Sequence, residues 1–201
     1  MTRPLSYGAA FAALALAATA AFAADTNPAS VKAGTYALDP SHARVQFAVS
    51  HMGFSEWYGD FSGVTGALTI DPARIEAAKV EVTIPVASVS TTNATLDGEL
   101  KSADWFDAAR YPTIRFVSTQ VVKTAADKAT VTGDLTFHGV TKPVTLNAVF
   151  YGAGDNPMSK KATIGFNATV VLKRSDFGVK TYVPMIGDET TLRISAPFEK
   201  Q

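Results

Sequence analysis

Hydrophobic and polar residues alternate along most of the chain beyond its first forty residues. In the first clear run, Val45, Phe47 and Val49 fall on one face, while Arg44 and Gln46 fall on the other. A period of two residues is that of a β-strand with one buried face. The pattern recurs seven more times, which gives eight predicted strands at residues 44–51, 66–71, 79–86, 113–116, 130–137, 144–150, 163–170 and 192–198.

Short segments with turn residues join most of these runs, among them Asp71-Pro72 and Gly139. Short connections make consecutive strands antiparallel neighbours. Eight such strands with one apolar face close most naturally into a barrel, whose interior either fills with side chains or holds one small ligand. The sequence therefore predicts an all-β fold, an eight-stranded antiparallel barrel.

One stretch, between Ser90 and Pro112, interrupts the alternation and is typical of short helical turns. Asp97 and Ser102 are placed to cap two such turns, because their side chains can accept from unpaired backbone N–H groups. An apolar side comes from Leu96, Leu100, Trp105 and Phe106. We expect a short helical cap between the third and fourth predicted strands, over one end of the barrel.

The first 23 residues have the layout of a secretory signal peptide. Arg3 precedes an apolar run that is too short to span a bilayer, and Ala21-Phe22-Ala23 is a small-x-small cleavage site. We therefore expect cleavage after Ala23, a flexible lead-in over residues 24–34, a barrel domain over residues 35–201, and a periplasmic protein.

Charge and composition exclude several classes of function. The chain has 18 basic and 18 acidic residues, so it lacks the basic excess of a nucleic-acid-binding protein. It has no cysteine, which excludes disulfides and thiolate metal sites. Its three histidines are not spaced as metal ligands, and no motif for nucleophilic catalysis is present. We expect no metal, no cofactor and no enzymatic activity.

Several longer motifs resemble the YceI-like family. The similar segments lie in the same order along the chain: residues 36–42, 47–53, 100–107, 133–144, 174–178 and 187–189. Membership of this family implies a lipocalin-like barrel that is exported to the periplasm and binds a polyisoprenoid. Some relatives pair as dimers, so the resemblance also suggests a homodimer. One segment departs from the family pattern Arg-Asp-x-His-Leu, because this chain has Leu96-Asp97-Gly98-Glu99-Leu100 there. The resemblance then implies a quinone or amide head group in preference to a phosphate.

Large aromatic side chains dominate the face that should point into the barrel. Small residues occur among them, namely Gly66, Gly133, Ala148, Ala168 and Ala196, and they allow either interdigitated rings or an elongated cavity. The family resemblance favours the cavity. His51 is in phase with Val45, Phe47 and Val49, and it is either a partner for a ligand head group or a core histidine. The candidate ligand-binding residues are Phe47, Val49, His51, Phe54, Trp57, Phe61, Leu100, Trp105, Phe106, Phe116, Phe137, Phe150, Phe166 and Phe177.

The favoured function is a binding or carrier protein that holds a long isoprenoid or another lipid inside the barrel, without stable membrane insertion. One alternative is a small outer-membrane barrel, in which the same alternation would turn apolar residues toward lipid and charged residues inward. A lipid-modifying enzyme is the other, although the sequence offers no reactive group for it.

Overall fold

A computed structural model describes residues 24–201. The predicted signal peptide lies outside these residues and stays a prediction. The elements are ten strands and one α-helix, with short 3-10 turns between them. The strands are β1 Gly34–Leu38, β2 Arg44–His51, β3 Ser55–Phe61, β4 Thr65–Ile70, β5 Lys79–Pro85, β6 Thr113–Lys123, β7 Lys128–Phe137, β8 Val140–Asp155, β9 Ala162–Lys173 and β10 Ile186–Lys200, and the helix is α1 Ala94–Lys101.

The ten strands occupy eight positions around a closed antiparallel barrel. β1 and β2 lie end to end beside β10, since Leu38 pairs with Phe198 while Val45 pairs with Ile194. β3 and β4 follow in the same way, because β3 pairs with β2 and β4 pairs with β1. β5 to β10 complete the ring in sequence order. The prediction of an all-β, eight-stranded antiparallel barrel is confirmed.

Two strands, β1 and β3, are missing from the eight predicted runs. β3 has the sequence SEWYGDF, in which Gly59 separates the inward-facing Trp57 and Phe61. Because a glycine occupies the middle inward position, too few apolar residues remain for the alternation to be recognised in the sequence. β1 is only five residues long, and such a short run gives little periodicity.

The apolar face of each strand points inward. Val82, Ile84 and Phe116 line the interior, whereas Glu81 and Arg115 form an exposed ion pair with an N–O distance of 2.6 Å on the outer face. The alternative of an outer-membrane barrel required the opposite arrangement of apolar and charged residues. Among residues 24–201, no helix is long and apolar enough to cross a membrane.

The segment between β5 and β6 forms the cap, but its details differ from the prediction. The N-cap of α1 is Asn93, whose side chain accepts from the N–H groups of Thr95 and Leu96. Asp97 instead accepts from the backbone N–H and the hydroxyl of Thr91. Ser102 ends α1 and begins no second helix, because residues 103–110 form turns.

The segment before β1 lies against the barrel. Asp25 forms a two-residue bridge with Ala153 of β8, and Val31 is buried in the core. The hydroxyl of Tyr36 donates to the carbonyl oxygen of Lys32. These contacts leave residues 24–34 packed along one side of the barrel, at the end opposite the cap.

Candidate ligand-binding cavity

The interior of the barrel contains a cavity of about 280 Å³. That is roughly twenty times the space that one water molecule needs. Aliphatic and aromatic side chains from all ten strands and from the cap make up most of its wall. The polar residues at its margin are Arg44, Lys79, Arg174, Thr190 and Ser195. A cavity of this kind offers hydrophobic burial, with few hydrogen-bonding groups, to whatever enters it.

Nine of the candidate binding residues line this cavity. They come from both the strands and the cap, and they are Phe47, Val49, Phe61, Leu100, Trp105, Phe106, Phe116, Phe137 and Phe166. The strand periodicity supplied the phase of Phe47, Val49, Phe116, Phe137 and Phe166. Phe61 lies in β3, for which the alternation predicts no strand. The apolar side of the interrupted stretch supplied Leu100, Trp105 and Phe106.

Three of the candidate phenylalanines lie outside the cavity wall. Phe54 is 90% exposed at the turn between β2 and β3. It follows the last in-phase residue of β2, so the inward alternation no longer applies to it. Phe150 and Phe177 are buried in the core but do not reach the cavity. Phe150 packs edge-on against Phe166 at 5.7 Å, and Phe177 packs against Phe137 at 5.9 Å.

His51 and Trp57 share the inward face but are not part of the cavity wall. Strand pairing puts Trp57 opposite Val49, so both side chains belong to the face of Phe47. His51 is the last residue of β2, and its ring packs against that of Trp57 at 5.9 Å. The phase assigned to His51 is therefore correct, but its ring packs against Trp57 and is not part of the cavity wall.

The small inward-facing residues serve two different purposes. Gly133 accommodates the ring of Phe116, and Gly59 of β3 accommodates the ring of Phe47, because a Cβ at either glycine would overlap the ring. In contrast, Ala129, Ala148 and Ala168 pair side by side across β7, β8 and β9, and all three line the cavity. Interdigitation and open space therefore coexist, and this row of alanines is part of the wall that leaves the space open.

Phe106 closes the cap end of the cavity. Its ring centroid lies 5.4 Å from that of Phe137, 6.0 Å from that of Phe61 and 6.4 Å from that of Phe47. Offset and edge-on ring pairs at these distances are favourable beyond simple burial. The cap is thus joined to the barrel wall by an aromatic cluster that also faces the cavity.

Arg174 organises this end of the barrel and was not among the candidates. Its guanidinium is buried and donates to four backbone carbonyl oxygens, those of Val179, Thr181, Ile186 and Gly187. Burial lowers the pKa of Arg174, and the carboxylate of Asp188 opposes that shift. Periodicity cannot identify such a residue, because its side chain binds carbonyl oxygens of a loop and does not pack on a strand face. The only sequence signal for Arg174 is its position in the family-like segment 174–178.

Trp105 is fixed from two sides. Its indole N–H donates to Glu99 over 3.3 Å, and the Arg174 guanidinium carbon lies 5.3 Å from its ring centroid. A cation over an indole face is an attractive arrangement. Trp105 is therefore held by Glu99 from within the cap and by Arg174 from the segment between β9 and β10.

The described residues offer binding rather than an obvious reactive group. Among residues 24–201, no group of three His, Asp or Glu residues could hold a metal ion. His42 pairs with Asp39 at the surface, and His138 contacts the carbonyl oxygen of Phe177 through Nδ1. Neither histidine is part of the cavity wall.

An eight-stranded barrel with a capped apolar interior defines a lipocalin-like ligand-binding fold. The chain belongs to the YceI-like family, because the model of the YceI-like domain matches residues 36–198. Protein YceI of Escherichia coli O157:H7 is 42% identical over 196 residues, which cover 96% of this chain and 96% of that protein.

Solved structures show the same architecture. BcnA of Burkholderia cenocepacia superposes with a TM-score of 0.73 at 26% identity, covering 80% of this chain and 98% of that one. A polyisoprenoid binding domain from Saccharophagus degradans superposes with a TM-score of 0.63 at 15% identity, and the superposition covers 85% of this chain and 100% of that domain. At that identity the second likeness establishes the fold alone.

Proposed function

We propose that the protein is a periplasmic binding or carrier protein that holds one long apolar molecule, such as a polyisoprenoid or the tail of an isoprenoid quinone, inside its barrel. The observation that carries this proposal is the cavity of about 280 Å³ with an almost wholly apolar wall. The family relationship and the named ligand class of the Saccharophagus degradans domain point the same way.

Hydrophobic burial alone supplies enough free energy for such a ligand. Each buried CH₂ group contributes about 0.8 kcal/mol, so a chain of fifteen carbons gains on the order of 10 kcal/mol before ordering costs. A binding site of this kind needs no charged contact along the chain.

The cap favours a ligand with an uncharged polar end. Glu99 puts a carboxylate beside Trp105, which repels an anionic head group. Backbone carbonyl oxygens take four of the five N–H donors of the Arg174 guanidinium, so at most one donor is left for a phosphate. A polyprenol or a quinone therefore suits this chain better than a polyprenyl phosphate.

Export rests on the sequence of residues 1–23, which has the charge, apolar run and cleavage site of a signal peptide. The absence of cysteine suits a protein that needs no redox control in that compartment. The role of a carrier rests on the cavity wall, which is apolar except for Arg44, Lys79, Arg174, Thr190 and Ser195 at its margin.

Filling the cavity from the alanine row tests the proposal directly. In Ala148→Phe the new ring projects between Ala129 and Ala168, where it has room but takes space from the ligand. We expect the affinity for a dansyl-labelled farnesyl probe, measured by fluorescence titration, to fall about tenfold or more.

The matched control is Ala67→Phe, which adds the same ring on the exposed outer face of β4. It should leave probe affinity within about twofold. Equal affinities for both variants, or no binding of the probe to the unmodified protein, would contradict a lipid-holding cavity. Native mass spectrometry of the protein purified from its own cells identifies the lipid that is retained.

A further inference from the structure

Two neighbouring turns at the cap end of the barrel expose an apolar surface, here called the rim. It consists of Met52 and Phe54 from the β2–β3 turn and Tyr182, Val183 and Met185 from the segment before β10. The N–H of Met52 donates to the carbonyl oxygen of Met185 over 2.8 Å, which holds the turns together. The segments 52–54 and 182–185 contain no charged residue.

The rim directly adjoins the end of the cavity. Met185 is exposed, and the next residue, Ile186, lines the cavity. The ring of Tyr182 lies 6.1 Å from that of Trp105, which is also part of the cavity wall. The Thr181 hydroxyl donates to the carbonyl oxygen of Asp104 in the cap. An apolar molecule that left the cavity past the cap would meet the rim first.

The backbone at the rim keeps large side chains where glycine is the usual residue. Met52 has φ of 54° and Tyr182 has φ of 58°, both in the left-handed region. That region is unfavourable for residues with a Cβ and suits glycine. A methionine and a tyrosine at such positions, both exposed, indicate that their side chains serve something other than the stability of the turns.

The shape of the rim favours a lipid surface over a second copy of the chain. Phe54, at 90% exposed, stands on a turn rather than in a groove. A stable protein–protein interface usually buries about 800 Å² per partner from some 20–30 residues, far more than five side chains on two turns provide. A bilayer needs no complementary shape and accepts Phe, Tyr and Met side chains at its interface.

We propose that the rim docks the cap end of the barrel reversibly onto the surface of a phospholipid bilayer, so that the apolar ligand passes between the bilayer and the cavity without crossing water. This inference rests on the proposed function for the ligand, but the docking itself is tested separately. The rim side chains enter the interfacial layer, and the strands stay outside the membrane.

A tryptophan placed on the rim reports docking. Phe54→Trp keeps an aromatic side chain at the most exposed rim position, and its emission should shift to shorter wavelength on addition of phosphatidylcholine vesicles. Brominated phosphatidylcholine should quench that emission. The matched control is Met158→Trp, since Met158 is 88% exposed in the turn between β8 and β9 at the opposite end. Because the native Trp57 and Trp105 also emit, the quenching of each variant is compared with that of the unmodified protein. An equal increase in both variants, or in neither, would overturn the proposal.

Removal of the apolar side chains supplies the functional test. In the double variant Phe54→Ser/Met185→Ser we expect vesicle co-sedimentation and the rate of transfer of a dansyl-labelled farnesyl probe from vesicles to fall about tenfold. Probe affinity in vesicle-free solution should stay unchanged. The control pair Tyr151→Ser/Met158→Ser removes exposed apolar groups away from the rim and should change none of these quantities.

The outcomes separate the two proposals. If the unmodified protein does not bind the probe but rim-dependent quenching persists, the proposed ligand fails and docking stands. If the probe binds and transfer is insensitive to the rim variant, docking fails and the ligand stands. A concentration-dependent dimer in analytical ultracentrifugation that the rim variant abolishes, without vesicle binding by the unmodified protein, would make the rim a protein interface and overturn docking.

Discussion

Replacement of Phe47 by alanine should weaken both the fold and ligand binding. Phe47 is 7% exposed, and its ring packs against Phe61 at 5.8 Å and Phe106 at 6.4 Å. Removal of a buried phenyl ring usually costs about 3–5 kcal/mol of unfolding free energy. Because one side of this ring already faces the cavity, we expect the lower end, about 3 kcal/mol.

Urea unfolding and thermal unfolding both measure this loss. For a chain of this size, about 3 kcal/mol corresponds to a fall in Tm of roughly 6–12 °C. Affinity for a dansyl-labelled farnesyl probe should fall about tenfold, because the ligand loses the contacts of the ring. The control is Arg44→Ala on the same strand, where an exposed ion pair with Asp60 is lost, and the expected cost is at most about 1 kcal/mol.

A double-mutant cycle with Gly59 tests the stated geometry. A Cβ at residue 59 overlaps the Phe47 ring, so Gly59→Ala should destabilise the unmodified protein and be far better tolerated in the Phe47→Ala background. Equal costs for Phe47→Ala and Arg44→Ala would refute the assignment of faces on β2. Additive costs in the cycle would refute the contact between Phe47 and Gly59.

Asp97 contributes to stability in a pH-dependent way, and the buried guanidinium of Arg174 contributes through its hydrogen bonds. Hydrogen bonds from the Thr91 hydroxyl and backbone N–H lower the pKa of Asp97 below its usual 3.8, so its stabilising effect is present above that value and is lost as pH falls through the depressed pKa. Asp97→Asn should therefore reduce the loss of unfolding free energy on acidification below pH 3.8, and an unchanged pH profile would contradict this. Arg174→Lys should cost about 3 kcal/mol in urea unfolding, because one ammonium group cannot serve four carbonyl oxygens; a cost below about 1 kcal/mol would show that those hydrogen bonds are dispensable.

Much of the cavity wall could be predicted from local pattern. The inward phase of β2, β6 and β7 follows from a period of two, and it identifies Phe47, Phe116 and Phe137 correctly. The cap follows from the break in alternation between Ser90 and Pro112. These features depend on residues close together in the chain, where side-chain direction is set by the strand itself.

The candidate residues that do not line the cavity could not be separated from those that do by periodicity alone. Periodicity does not show where a strand ends, so it gives His51 the right face but cannot tell that the ring misses the cavity, and Phe54 belongs to a turn. Trp57 lies in β3, for which the alternation predicts no strand. Phe150 and Phe177 are apolar and buried, yet a period of two cannot tell a residue in the core from one in the cavity wall. The distinction requires the positions of neighbouring strands.

Local pattern in the chain is sufficient for the all-β class, the antiparallel barrel and the apolar interior, and the motifs are sufficient for membership of the YceI-like family. Which small residues receive a ring and which leave space depends on the folded arrangement: Gly133 lies beneath Phe116, whereas Ala129, Ala148 and Ala168 meet across three strands and border the cavity. The folded arrangement also gathers four carbonyl oxygens around Arg174. Such arrangements depend on strand register and loop closure, which join residues far apart in the chain and leave no periodic signal within any one segment.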